Sequence, residues 1–143
     1  MNICVIHGPN LNKLAYRNPL IYGGLSLEGL YKKLTDAFED IDFTFYQSNH
    51  EGDLIDVILS TLETPYDAII INPGAYAHTS IAIRDALEMI KITKIEVHLS
   101  DLSKREAFRQ IDYIKDVCDA HFMGRQFESY MDAVRYIISK KND

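Results

Sequence analysis

Ala68-Ile69-Ile70-Ile71-Asn72 is apolar in every residue but the last. That is the pattern of a central strand in a parallel sheet, which is covered on both faces. The turn Pro73-Gly74 follows, and Thr79 or Ser80 stands where it can cap a helix carrying Ile83, Ala86, Leu87 and Ile90 on one face. Toward the N-terminus, Leu54, Val57, Ile58 and Leu62 mark another buried helix face, and residues 43–47 form a second strand. Residues 3–6 are the first strand, and a long loop from His7 to Gly24 leads to a helix beginning near Ser26, with Leu27, Leu30, Tyr31, Leu34 and Phe38 turned inward. Beyond the central strand come a fourth strand at 94–100, a short helical stretch at 105–109 and a fifth strand near 120–123. The last helix runs from about 129 to 140, with Tyr130, Val134, Ile137 and Ile138 inward. Regular alternation of strand and helix implies right-handed crossovers. The expected fold is α/β and flavodoxin-like, a five-stranded parallel sheet with helices on both faces. No linker, repeat or low-complexity segment interrupts residues 1–143, so one domain is expected.

Composition narrows the function. Hydrophobic residues make up 47%, charged residues 25%, and the net charge is −6 with no basic block. Nucleic acid and a polybasic membrane contact are therefore not expected as partners. A small anion can bind only where the few cations converge. No stretch approaches the roughly 18 apolar residues of a membrane span. The first residues lack the layout of a signal peptide, so a cytoplasmic location is expected. Cys4 and Cys118 are too few for a disulfide framework and form no C-x-x-C motif; both read as reduced, mostly buried thiols. The five histidines are scattered, so no metal site is indicated.

Three clusters carry polar chemistry. In Lys94-Ile95-Glu96-Val97-His98-Leu99-Ser100, strand alternation places Glu96, His98 and Ser100 on one face of a buried element. An unpaired buried polar group costs about 1–3 kcal/mol. An internal hydrogen-bond network could account for one such residue. Three at a strand's C-terminal end point to the crevice where ligands bind in open α/β sheets. The second cluster is the loop 10–24, longer than the two to six residues usual for such a connection. It holds Arg17, two tyrosines and a Gly23-Gly24 hinge, the makings of a lid. Tyrosine phenols titrate near 10, so ionising one at pH 7 takes about 4 kcal/mol of selective stabilisation. A guanidinium in a water-poor site supplies it, and Arg17 and Tyr22 are close enough for one folded loop to present both. The third cluster is Asn72 through Ser80, where Asn72 can hold a water or an oxyanion and His78 suits hydroxyls or negative charge. Arg105 and Arg109, four residues apart, read as one helical face complementary to an anion or as surface partners of Glu106.

Six motifs then occur in one order: Gly8-Pro9-Asn10-Leu11-Asn12; Arg17-x-Pro19-x-Ile21-Tyr22-Gly23; Gln47-Ser48-Asn49-His50-Glu51-Gly52; Ile71-Asn72-Pro73-Gly74-Ala75-Tyr76-x-His78-Thr79-Ser80; Glu96-Val97-His98-Leu99-Ser100; and Arg105-Glu106-x-Phe108-Arg109. Together they resemble the type II 3-dehydroquinate dehydratases of the shikimate pathway, from residue 2 to about 110 and more weakly afterwards. The resemblance implies a flavodoxin-like hydro-lyase that eliminates water from 3-dehydroquinate with anti stereochemistry through an enolate. It implies no metal and no cofactor, and a homododecamer assembled from trimers. By motif position, Tyr22 is the implied base, Arg17 its partner, and His98 the acid that protonates the leaving hydroxyl. Asn72 holds the water that stabilises the enolate, Asn10 places the catalytic groups, and Glu96 orients the histidine. Leu99 and Ser100 bind the substrate carboxylate, and His78 and Arg109 the ring hydroxyls. Asp85 matches a position that reaches a neighbouring subunit's site.

The chain departs from the family pattern in three places. His7 stands where Asn is common, and Lys13-Leu14-Ala15-Tyr16-Arg17 lacks the usual lid glycine. Gly124-Arg125-Gln126-Phe127-Glu128-Ser129-Tyr130 keeps only the first glycine and the tyrosine of a Gly-x-Gly-x-x-Gly-Tyr stretch. The alternative reading is a non-catalytic flavodoxin-like module binding a small anionic ligand. A receiver-type signalling domain needs acidic residues at strand ends, where this chain has His7 and Asn72.

Overall fold

The computed structural model describes residues 1–143. Strands β1 (Asn2–His7), β2 (Asp42–Gln47), β3 (Ala68–Asn72), β4 (Thr93–His98) and β5 (Ala120–Met123) form one sheet in the order β2-β1-β3-β4-β5. Every pairing is parallel. Helices α2 (Leu27–Ala37), α3 (Glu51–Ser60), α4 (Ile81–Met89) and α5 (Phe127–Lys141) cover the two faces, and a single turn, α1 (Pro19–Tyr22), lies in the first loop.

Strand alternation sorts the apolar residues into two cores. Ile3, Val5, Ile70, Ile95 and Val97 face α2 and α5, where Leu30, Leu34, Tyr130 and Val134 meet them. Cys4, Ile6, Ile69 and Ile71 face α3 and α4, packing with Leu54, Ile58, Ile83 and Leu87. Fully burying each such Ile or Leu contributes about 1.5–3 kcal/mol. Side-chain caps fix the helix starts: Ser26 Oγ accepts from the Gly29 N–H at 3.0 Å and Ser80 Oγ from the Ile83 N–H at 2.9 Å. Of the two candidate caps for α4, Ser80 is the one used.

The sheet order is the flavodoxin-like one, and it switches direction between β1 and β3. There His7 pairs with Asn72, and the chain leaves both strands on the same side. Ligand crevices form at such a point. The approach is so close that the Gly8 N–H donates to Asn72 O at 2.8 Å, and a Cβ on Gly8 would lie 2.3 Å from Pro73 O.

Four details differ from the sequence expectation. The first loop is not open coil: residues Leu11–Tyr16 form 3-10 turns that bury Leu11 and Leu14, and α1 follows. Leu62 is exposed, because α3 stops at Ser60 and the Thr61 hydroxyl turns back onto Ile58 O. Strand β4 ends at His98, with Leu99 and Ser100 just beyond it. Arg105 and Arg109 do not share one helix: Arg105 has extended backbone between the 3-10 turns Leu102–Lys104 and Ala107–Gln110.

Candidate active site

A pocket of about 110 Å³ opens at the C-terminal ends of β1, β3 and β4, and its lining brings Arg17, Tyr22, Asn72, His78, His98 and Ser100 together. Asn10, Leu99 and Arg109 complete the set of expected residues around it. Two expected residues lie elsewhere. Glu96 is fully buried behind His98, and Asp85 sits on the exposed face of α4, outside the pocket of its own chain.

The lid geometry follows from local sequence. Asn18, directly before Pro19, is held out of the helical region at φ −56 and ψ 114, and Arg17 ahead of it is extended. Asn18 Oδ1 caps α1 by accepting from the Leu20 N–H at 3.0 Å, and Gly23 closes the turn at φ 96, a conformation that favours glycine. That one turn folds Tyr22 back onto Arg17. Arg17 Nη2 donates to Tyr22 Oη at 2.5 Å, with its guanidinium 4.0 Å from the ring centroid. A second cation was not anticipated in this role: Arg105 Nη1 donates to the same oxygen at 3.0 Å and to Ser100 Oγ at 3.1 Å. Two guanidiniums therefore converge as donors on one phenol oxygen.

In the same pocket lining, His98 Nε2 lies 2.5 Å from Glu96 Oε2. Burial drives both groups toward their uncharged forms: it raises the Glu96 carboxyl, with Asp112 adding to the effect, and lowers the His98 imidazole. The ring's other nitrogen is left for the pocket. His78 is held by Ile111 O, 2.7 Å from its Nδ1.

Asn72 is fixed from two sides, its Oδ1 accepting from the Gly74 N–H at 3.1 Å and its Nδ2 donating to Tyr130 Oη at 3.0 Å. Tyr130 Oη in turn lies 2.7 Å from His7 Nε2, so the unusual histidine of β1 belongs to the scaffold under the pocket. His7 is completely buried, and burial lowers its pKa to about 3. Gln126, at a position where the resembling family favours glycine, has φ 52 and ψ −129, and its Nε2 donates to Leu20 O at 3.2 Å, tying α5 to the lid. For metal ligation the one grouping is Glu96, His98, Asp112 and His121, whose ligand atoms all lie within 4.8 Å of one another.

The family model described as Dehydroquinase class II matches residues 1–138. The chain belongs to that family. The match continues into α5, further than the motifs alone reached. Among class II dehydroquinase relatives, the 3-dehydroquinate dehydratase of Bacillus pumilus (strain SAFR-032) is 44% identical over 138 residues, covering 95% of this chain and 93% of that one. The 3-dehydroquinate dehydratase of Exiguobacterium sp. (strain ATCC BAA-1283 / AT1b) is 46% identical over 139 residues, covering 96% and 94%. The crystal structure of type II dehydroquinase from Butyrivibrio crossotus DSM 2876 superposes with a TM-score of 0.93 at 43% identity, covering 96% of this chain and 97% of that one. Enzymes bearing this name are hydro-lyases. No helix of this class II dehydroquinase is long and apolar enough to cross a membrane.

Proposed function

We propose that this chain catalyses the elimination of water from 3-dehydroquinate to give 3-dehydroshikimate, with Tyr22 as base and His98 as acid. The observation that carries the proposal is the pair of guanidinium donors on Tyr22 Oη, in a pocket that His98 also lines. A phenolate held by Arg17 and Arg105 removes the proton beside the ketone. The electrons of that C–H bond form an enolate, and a water held at Asn72 donates to its oxygen. The enolate re-forms the ketone while the adjacent C–O bond breaks, and His98 gives its proton to the departing hydroxyl, which leaves as water. Glu96 holds the imidazole in position throughout. Asn10 helps place these groups.

The substrate carboxylate meets Leu99 and Ser100, partly through backbone N–H groups, with Arg105 beside Ser100 supplying positive charge. His78 and Arg109 take ring hydroxyls. The same reading makes residues 1–143 one catalytic domain that works without metal or cofactor in the cytoplasm. It assembles as a homododecamer of trimers, in which the exposed Asp85 serves a neighbouring copy's site. The chemistry separates this reading from a non-catalytic binder, which has no use for a base and an acid lining one pocket.

The test is direct. Protein added to 3-dehydroquinate, with chelator present, should produce a steady rise in the ultraviolet absorbance of the conjugated enone. A flat trace from folded protein overturns the activity.

A further inference from the structure

Behind His98 lies a cluster of which the proposed reaction uses only Glu96. Glu96 is fully buried; its Oε2 is engaged by His98, while its Oε1 has no hydrogen-bond partner. His121 pairs in register with Glu96 on the adjacent strand β5. Its Nε2, also unpartnered, lies 3.8 Å from Glu96 Oε1 and 3.6 Å from Asp112 Oδ2. The side chains of His121 and Asp112 are only 10% and 12% exposed. Asp112 is pinned through its other oxygen, Oδ1, which accepts from the N–H groups of Ile114 at 2.8 Å and Lys115 at 3.1 Å. That leaves Oδ2 turned toward the cluster.

Buried, unpartnered polar atoms in a native protein call for a ligand or ion. No lysine or arginine forms a salt bridge with Glu96 or Asp112; Lys115 acts on Glu96 only from a distance, and the basic groups within 4 Å are the imidazoles of His98 and His121. Separations of 3.6 and 3.8 Å are too long for hydrogen bonds. They are close to the spacing of two ligands on one small cation, since ligands about 2.0–2.2 Å from a tetrahedral centre lie roughly 3.3–3.6 Å apart. One imidazole nitrogen with two carboxylate oxygens is a donor set that zinc and similar ions accept.

We propose that Glu96 Oε1, Asp112 Oδ2 and His121 Nε2 form a binding site for a divalent transition metal of the zinc type, directly behind the active-site pocket. Glu96 then carries the cation on one oxygen and the imidazole of His98 on the other, so the site shares a residue with the catalytic machinery without being part of the reaction. The three ligands come from separate segments of the chain, which is why no spacing in the sequence announces them.

Isothermal titration of zinc chloride into chelator-stripped full-length protein tests the site. Wild type should bind one zinc per chain. His121→Val and Asp112→Asn should each weaken that binding by at least the roughly 10–100-fold that losing even an outer-shell partner costs. Circular dichroism of the metal-free variants checks that they are folded, and Asp112→Asn keeps the shape and the Oδ1 contacts should Val at 121 fail to fold. Cys118 is a thiol close to the cluster, and Cys118→Ser should bind as wild type does. The proposal is overturned by no stoichiometric uptake in wild type, by unchanged affinity in folded His121 and Asp112 variants, or by loss of binding in Cys118→Ser.

Discussion

Replacing Arg105 with alanine isolates the contribution of the second guanidinium on Tyr22. The side chain is only 14% exposed, so its bond to Tyr22 Oη at 3.0 Å is poorly screened by solvent. A hydrogen bond from a charged group in such a setting contributes about 1.5–3 kcal/mol. In the proposed mechanism that bond favours the phenolate that acts as base, so removing it depletes the reactive form and the loss falls mainly on kcat. At about 1.4 kcal/mol per decade, kcat should drop roughly 10- to 150-fold. Arg17 still donates to the same oxygen, which keeps the loss below that of removing the base. The Arg105 bond to Ser100 Oγ at 3.1 Å steadies the carboxylate end of the substrate, so KM should rise as well. Folding should be little affected, because Tyr22 keeps Arg17 and Ser100 faces the pocket. The assay is initial-rate absorbance at saturating and limiting 3-dehydroquinate, with thermal unfolding of both proteins alongside. An Arg105→Ala variant with unchanged kcat would refute the two-donor account of Tyr22.

Three further outcomes follow from the scaffold. Gly8→Ala should destabilise the fold by roughly 1–3 kcal/mol, because a Cβ only 2.3 Å from Pro73 O forces the ends of β1 and β3 apart; urea unfolding reads the change. His7 has its pKa lowered to about 3 by burial, so below the ordinary value near 6.5 the unfolded chain binds a proton that the folded chain refuses. Its contribution to stability is therefore lost as pH falls through that window, and the stability difference between wild type and His7→Asn should decline by about 1.4 kcal/mol per pH unit between pH 6 and 4; a pH-independent difference contradicts this. Gln126→Gly should stabilise by roughly 0.5–2 kcal/mol, since relieving a left-handed conformation worth about 1–3 kcal/mol outweighs the added chain entropy of glycine. Amide exchange of residues 19–22 should quicken in that variant as the tie to Leu20 is lost.

Elements with a strong local cause were legible in the sequence. The apolar run at 68–72, the alternation at 94–100 and the helix starts near Ser26 and at Thr79 or Ser80 correspond to the observed elements within a residue or two, because each is set by neighbours along the chain. Arg17 and Tyr22 were legible as a pair for the same reason, five residues apart around a single turn. What escaped depends on distant contacts. Arg105 reaches Tyr22 across 83 residues, and His7 meets Tyr130 across 123. Asp112 and His121 lie in a stretch of short 3-10 turns and a short half-buried strand, where no periodicity marks a buried face. The mistaken helical face for Arg105 and Arg109 has a related origin: two polar residues four apart suggest a helix, yet the segment is broken into short turns that still bring both arginines to the pocket.

The most direct measurement is the rate of enone formation from 3-dehydroquinate by Tyr22→Phe beside wild type, with both proteins shown to be folded. Removing one oxygen leaves the ring, the lid and both arginines in place while deleting the base. Turnover by wild type and a loss of orders of magnitude in Tyr22→Phe is the predicted result; near-native turnover in the variant would contradict the account.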